Sequence, residues 1–281
     1  MKLMKVIESF IEGKINAEKC EDALWISDDF IAVIDGVSSK SNYSLNGWTT
    51  GKIAADIIYH VFEYLPAKAS VTDFVHEVNR GYEKFYAEHD FDLNRKQYGL
   101  QAVAGIYSAY HRQIWLVGDC QAKVDGKTYT NAKRSDDILS AMRSLVSHVD
   151  MAMNHQDPAD YFEENDLARL QIIPWILKSN IFANDVETPL GYAVINGEEI
   201  PIELIKTIDI PKDYQGDIIL TTDGYPTVRD TLAEAEKYLV DLLREDPYLI
   251  SQFCSTKGLA RGQKSFDDRT YIRFQIGGDE S

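Results

Sequence analysis

The chain has 281 residues, 44% of them hydrophobic and 11% aromatic, enough apolar material for a sizeable core and too much for a disordered chain. Acidic residues outnumber basic ones 45 to 29, a net charge of −16, so the surface repels nucleic-acid phosphates and anionic lipid, and neither is expected as a partner. The three cysteines, Cys20, Cys120 and Cys254, are odd in number and widely spaced, which suits neither a disulfide framework nor a thiolate zinc site and fits a reducing, cytoplasmic setting.

The segment Met1 to Lys14 is amphipathic and mixed in charge, with no continuous apolar core and no cleavage signature, so no signal peptide is expected. No apolar run is long enough to span a membrane. Strand-like runs follow at Ala23–Ser27 and Phe30–Ile34, the second ending in the turn pair Asp35-Gly36. A polar loop, Val37 to Asn46, leads to two helices. Thr49–Leu65 carries Ile53, Ile57, Val61 and Leu65 at helical spacing and is stopped by Pro66; Val71–Glu88 carries Phe74, Val78, Tyr82 and Phe85, with Ser70 or Thr72 as N-cap. A β region covers Leu100–Tyr110, Gln113–Gly118 and Gln121–Val124, and Asp125-Gly126 reads as the turn of a hairpin returning through Lys127–Thr130. Asp136 to Ile181 reads as a helical elaboration, with helical spacing in Ile138–Val149 and Ala159–Leu177. The chain returns to β with Tyr192–Ile195, an Asn196-Gly197 turn, Glu203–Ile210 and Asp217–Thr222; a helix Asp230–Arg244 and a strand Thr270–Ile276 close it. No repeat, low-complexity tract or linker appears, so residues 1–281 are read as one domain. Its order of elements suggests α and β layers with a largely antiparallel sheet, without the strand–helix alternation of a Rossmann fold.

One pattern recurs. An apolar strand ends on Asp, and a small residue lets the backbone turn at once: Asp35-Gly36, Gly118-Asp119-Cys120 and Asp223-Gly224. Asp267-Asp268 and Glu21-Asp22 stand just before strands instead. Carboxylates held at the rim of a core repel one another and resist desolvation, and a divalent cation resolves both. Oxygen ligands without imidazole or thiolate select hard ions, Mg²⁺ or Mn²⁺, and two such ions can activate a water and clamp a phosphoryl group. Each motif alone is an ordinary turn or a solvated corner, as Asp125-Gly126 is read to be; their number and order in one chain carry the metal reading.

These residues resemble the metal-dependent (PPM-type) protein phosphatases of type 2C, in family order and over nearly the whole chain. The family's Glu-Asp pair looks like Glu21-Asp22, its Asp-Gly like Asp35-Gly36, and its helix with a small-residue start like Gly51–Leu65. Its Gly-Asp-Ser segment looks like Gly118-Asp119-Cys120, its Ser/Thr-Asp-Gly like Thr222-Asp223-Gly224, and its final Asp-Asn-x-Thr like Asp267-Asp268-Arg269-Thr270. The resemblance implies an α+β fold of four layers, a central sandwich of two largely antiparallel sheets with helices on both outer faces. It implies two Mn²⁺ or Mg²⁺ ions, with a third in some members. By it Asp35 bridges both ions, Asp223 and Asp267 bind one, the Gly36 carbonyl and, through water, Glu21 bind the other, and Asp119 with Asp223 forms the third position. Asp22 and Asp268 complete the metal-binding motifs. A water bridging the ions attacks a phosphate monoester, on a phosphorylated protein or a small ester, with Asp35, Asp223 and Asp267 as the catalytic carboxylates.

The departures bear on the substrate. The family's phosphate-binding Arg falls near Ala17, where the nearest cations are Lys14 and Lys19, point charges without the bidentate fork. Val37 stands where many members carry His, Ser38-Ser39 replace glycines, and Asp268 replaces Asn. Gly47-Trp-Thr-Thr-Gly51-Lys52 is one residue short of a phosphate loop, no Asp-x-Asp or Gly-x-Ser-x-Gly occurs, and the histidines, His148 and His155 among them, lack ligand spacing. The alternative function is a phosphatase-fold protein that binds phosphorylated partners without turnover. The segment Asp136 to Ile181, with Met142, Met151 and Met153 expected mainly in the core, and a flap at Thr188–Ile210 are where substrate selection is expected.

Overall fold

The computed structural model describes residues 4–38 and 40–277; residues 1–3 and 278–281, with Ser39 of the loop after Gly36, lie outside the described residues. The strands are β1 (Met4–Glu12), β2 (Asp22–Ile26), β3 (Phe30–Gly36), β4 (Ala102–Ser108), β5 (Gln113–Val117), β6 (Gln121–Val124), β7 (Lys127–Thr130), β8 (Lys206–Asp209), β9 (Gly216–Thr221) and β10 (Arg269–Ile276). The helices are α1 (Thr50–Val61), α2 (Val71–Glu88), α3 (Arg95–Tyr98), α4 (Arg134–Asn154), α5 (Pro158–Tyr161), α6 (Leu167–Ser179) and α7 (Leu232–Glu245). The strands form two five-stranded sheets, β1-β10-β9-β6-β7 and β2-β3-β4-β5-β8, antiparallel throughout.

The layering follows from alternation along single strands. In β3, Phe30, Ala32 and Ile34 pack with Ile53 and Ile58 of α1 and Phe74 and Val78 of α2. The intervening Ile31 and Val33 pack instead with Ile218, Leu220, Ile272 and Phe274 of the other sheet. Successive side chains point to opposite faces, so a strand covered on both sides reads as a continuous apolar run. On the far side of the other sheet, Ile219 and Tyr271 pack with Ala235, Leu239 and Leu242 of α7. The result is the expected four-layer α-β-β-α sandwich. No described helix is long and apolar enough to cross a membrane.

Local chemistry sets most boundaries. Thr49 caps α1 by accepting from the Lys52 N–H, and Ser70 caps α2 in a reciprocal capping box with Asp73. The hairpin β6–β7 turns on Asp125 and Gly126, both at positive φ (50° and 71°), so that pair is the plain turn expected.

Four expectations are corrected. Met4–Glu12, given no element from its mixed charge, is the edge strand β1, half exposed and paired with β10. Tyr192–Ile195 is no strand; it makes only the isolated bridges Ala183↔Tyr192 and Ala102↔Ile195. The helix expected over Ala159–Leu177 is two, because Asp166 ends the intervening turn by capping α6 through the Arg169 N–H. Within Glu203–Ile210 only Lys206–Asp209 is strand, after a short 3₁₀ turn. Of the three methionines, Met151 is buried, whereas Met142 and Met153 are exposed.

Candidate metal centre

Four acidic groups reach one cleft from both sheets. Asp35 ends β3, opposite Asp22 on β2 and Val103 on β4. Asp119 lies two residues beyond β5, Asp223 two beyond β9, and Asp267 two before β10. With Asp136 they line a cavity of about 170 Å³ between the sheet ends and the helical elaboration. The turn before Asp119 depends on Gly118, whose φ of +88° suits glycine and whose absent side chain leaves room for Val103.

Glycine is also required where backbones cross. A Cβ on Gly36 would stand 2.1 Å from the Gly51 carbonyl oxygen, and one on Gly51 would stand 2.6 Å from the Val37 oxygen and 2.8 Å from a Glu21 carboxylate oxygen. The start of α1 therefore lies directly on the Asp35-Gly36 turn. A Cβ on Gly224 would stand 1.9 Å from the Asp268 carbonyl oxygen, which brings the Asp223 turn against the Asp267-Asp268 segment.

The acidic residues divide by what compensates them. Asp268 accepts the backbone N–H groups of Lys14 (2.7 Å) and Glu21 (3.0 Å), so it pins the segment between β1 and β2. Asp22 accepts the hydroxyls of Thr222 (2.8 Å) and Thr270 (2.7 Å), tying one sheet to the other, while its second oxygen is buried without a partner. Glu21 accepts from Thr49 (2.5 Å) and Ser38 (2.6 Å) and meets the Lys14 ammonium at 3.3 Å. Asp267 is neutralised by Lys14 at 3.1 Å and by Lys257. Lys14 thus belongs to the carboxylate cluster. Lys19 does not: it is exposed, its N–H closes a turn on Asn16, and it lines no part of the cleft, because the chain turns back before it.

Asp35, Asp119 and Asp223 form no ion pair among the described residues, and one Asp223 oxygen is buried without a partner. Burial, then the charges of Asp223, Asp22, Asp267 and Asp119, raises the Asp35 pKa well above the usual carboxylate range. Burial and the Asp223 and Asp136 charges push Asp119 up to about 7. Asp223 is raised by burial and by Asp267, with Lys257 partly opposing. Burial acts in the same direction on Asp267, but Lys257 and Lys14 outweigh it and hold the pKa below normal. On Lys14, burial is outweighed by Asp267, Glu21 and Asp268, which raise its pKa.

Uncompensated, buried, oxygen-only donors are what hard divalent cations neutralise. Among the described residues no group of three or more Asp, Glu, His or Cys side chains is gathered closely enough to hold an ion by itself. The residues fit cations in donor chemistry and in charge, and stop short of a closed coordination sphere.

The cleft also carries cations that no motif announced: Lys40 after β3, Lys133 before α4, Arg169 in α6 and Lys257 before β10. Lys133 meets Asp136 at 3.4 Å and lies over the Tyr192 ring. Three of them lie in loops, which have no periodicity to mark them, Arg169 is one cation among others on a helix, and only the fold brings the four together.

The same architecture occurs in solved structures. The catalytic domain of the serine/threonine protein phosphatase PstP, in complex with two manganese ions, matches over 99% of this chain and 100% of that one, with 13% identity and a TM-score of 0.51. The Mycobacterium tuberculosis serine/threonine phosphatase PstP/Ppp matches over 98% of this chain and 100% of that one, with 12% identity and a TM-score of 0.50. The fold is that of the PPM-type, or type 2C, serine/threonine phosphatases. No family model matches the chain, and no curated protein matches it.

Proposed function

We propose that the chain is one phosphatase domain that hydrolyses phosphate monoesters, with phosphoserine or phosphothreonine on proteins as its substrate class, in a metal-dependent reaction. The observation that carries this reading is the convergence of Asp35, Asp119 and Asp223, each at a strand end and none in an ion pair among the described residues, on one cleft of this fold. Asp35, Asp223 and the Gly36 carbonyl would hold two hard divalent cations, Mn²⁺ or Mg²⁺, with Glu21 beyond them and Asp119 at a third position. Such a pair supplies a nucleophilic water at neutral pH and charge for the phosphoryl oxygens.

The chain's own residues do the rest. Asp22 and Asp268 hold the strand ends in register through Thr222, Thr270 and the backbone of Lys14 and Glu21. Glu21, through Thr49 and Ser38, fixes the start of α1 against the Asp35-Gly36 turn. Lys14 and Lys257 keep Asp267 ionised. Three free cysteines, two of them buried, suit a cytoplasmic setting.

The second reading, a phosphatase-fold protein that binds phosphorylated partners without turnover, is favoured by Ala17 at the family's Arg position and by the two lysines on Asp267. p-Nitrophenyl phosphate hydrolysis with Mn²⁺, with Mg²⁺ and with chelator separates the two. Hydrolysis that needs metal and falls by a factor of about 100 or more in both Asp35→Asn and Asp223→Asn is expected. A folded protein inert at every metal concentration would leave the binding reading.

A further inference from the structure

Two of the cleft's cations have no carboxylate partner among the described residues. The Arg169 guanidinium donates to the Thr256 carbonyl; the nearby Asp166 carboxylate is already taken by Arg143 at 2.6 Å and by the Arg169 backbone N–H at 2.8 Å. The Lys40 ammonium donates to the Ser38 carbonyl. Lys257, which does pair with Asp267, faces the same cavity of about 170 Å³. Three cations from three separate segments thus crowd one wall of the cleft in a chain of net charge −16. Like charges withdrawn from water repel, and an anion is what relieves them. Burial, Lys257 and Arg169 pull Lys40 down to about 7, with Asp267 and Glu21 opposing, and burial lowers Arg169 against the opposing charge of Asp166.

The N-terminal segment offers no such site. Ala17 carries no charge, Lys19 is exposed and lines no part of the cleft, and Lys14 is committed to Glu21, Asp267 and Asp268. We propose that Lys40 and Arg169 form the oxyanion subsite that binds the phosphoryl group of the substrate, so that phosphate recognition comes from the helical elaboration and the loop after β3. The inference rests on the phosphatase reading for its substrate, though not for its anion. A guanidinium presents five donors in a planar fork, of which Thr256 takes one, and an ammonium presents three; together they match a tetrahedral dianion. Thr256 orients the fork, while the nearby Asp166 carboxylate is bonded to Arg143 and to the Arg169 backbone N–H.

Calorimetric titration with inorganic phosphate, first with chelator and then with Mn²⁺, tests the subsite on the parent chain, Lys40→Met, Arg169→Gln and the outlying control Lys19→Met. Loss of a charge-assisted hydrogen bond weakens binding by about ten- to a hundredfold, and that loss is expected in Lys40→Met and Arg169→Gln only. KM for p-nitrophenyl phosphate should rise by a similar factor, and Arg169→Lys should recover part of it. Thermal melts equal to the parent's would show that the variants are folded. Parent-like phosphate affinity in folded Lys40→Met and Arg169→Gln would overturn the subsite even in an active enzyme, as would a parent that binds no phosphate in either condition. Weakened phosphate binding in a chain that never turns over would keep the subsite and remove the phosphatase reading.

Discussion

Asp119 shows how one side chain couples the centre to stability. Its pKa of about 7 in the fold exceeds the ordinary aspartate value near 3.9, so between about pH 4 and about pH 7 the folded chain binds more protons than the unfolded one. The contribution of this group to stability is therefore greatest at low pH and is lost as pH rises through that window. In chelator, Asp119→Asn should melt close to the parent at about pH 4 and above it near neutrality, at roughly 2–4 °C for each kcal/mol recovered. Melting curves across the window check this; a gap that does not widen with pH would mean that burial and Asp223 do not act on Asp119 in this way. The acidic residues were legible from sequence because each sits where an apolar run stops or is about to start. Their division of labour was not. Asp22 and Asp268 differ from Asp35 and Asp223 in which hydroxyls, N–H groups and, for Asp268, ammonium the fold brings to them, and Lys40 and Arg169 carry no local pattern at all.

At the scale of elements, a buried cation is among the ties that hold the helical elaboration to the rest of the fold. Arg143 of α4 reaches Asp166, the cap of α6, and donates to the carbonyls of Tyr248, Leu249 and Ser255, in the loop that leads to Lys257. Arg143→Met should cost about 3 kcal/mol, the lower end for a broken buried pair because Asp166 is partly exposed, and should loosen phosphate binding through Arg169 and Lys257. Chemical denaturation and phosphate titration of the same variant check both. Gly51→Ala should also destabilise, by about 1–3 kcal/mol, through its collision with Val37 and Glu21, and should reduce metal affinity with it. Helices with a strong apolar stripe, such as α2, were readable to the residue, since the stripe and the Ser70 cap say the same thing. β1 was not, because an edge strand with one solvated side and mixed charge looks like any polar segment until its partner is known.

For the whole molecule, buried carboxylates without a cationic partner among the described residues cost stability, and on the proposed function metal binding would offset that cost. A ligand that binds only the folded state stabilises it by about 2.7 kcal/mol at a hundred times its Kd. Mn²⁺ should therefore raise the Tm of the parent by several °C and have a much smaller effect on Asp223→Asn; scanning calorimetry with and without chelator checks it. The order of elements by itself suggests one antiparallel sheet, and it is the resemblance to the type 2C phosphatases that implies two. Their separation into a sandwich follows from strand pairings that join residues far apart in the chain, which no local window contains.

The pairing of β1 with β10 sets Met4 against Ile276. During synthesis the second sheet has all its strands once Asp209 has emerged, whereas β1 must wait for β10, made last among the strands. Asp267 and Asp268 arrive just ahead of that strand, and with them the anchors for Lys14 and Glu21. A ribosome stalled shortly before Asp267 would present one sheet complete, the other without β10 and with β1 unpaired, and an acidic rim lacking Asp267 and Asp268. A chain stalled there exposes apolar surface prone to aggregation, and on the proposed function metal binding and hydrolysis would wait for β10.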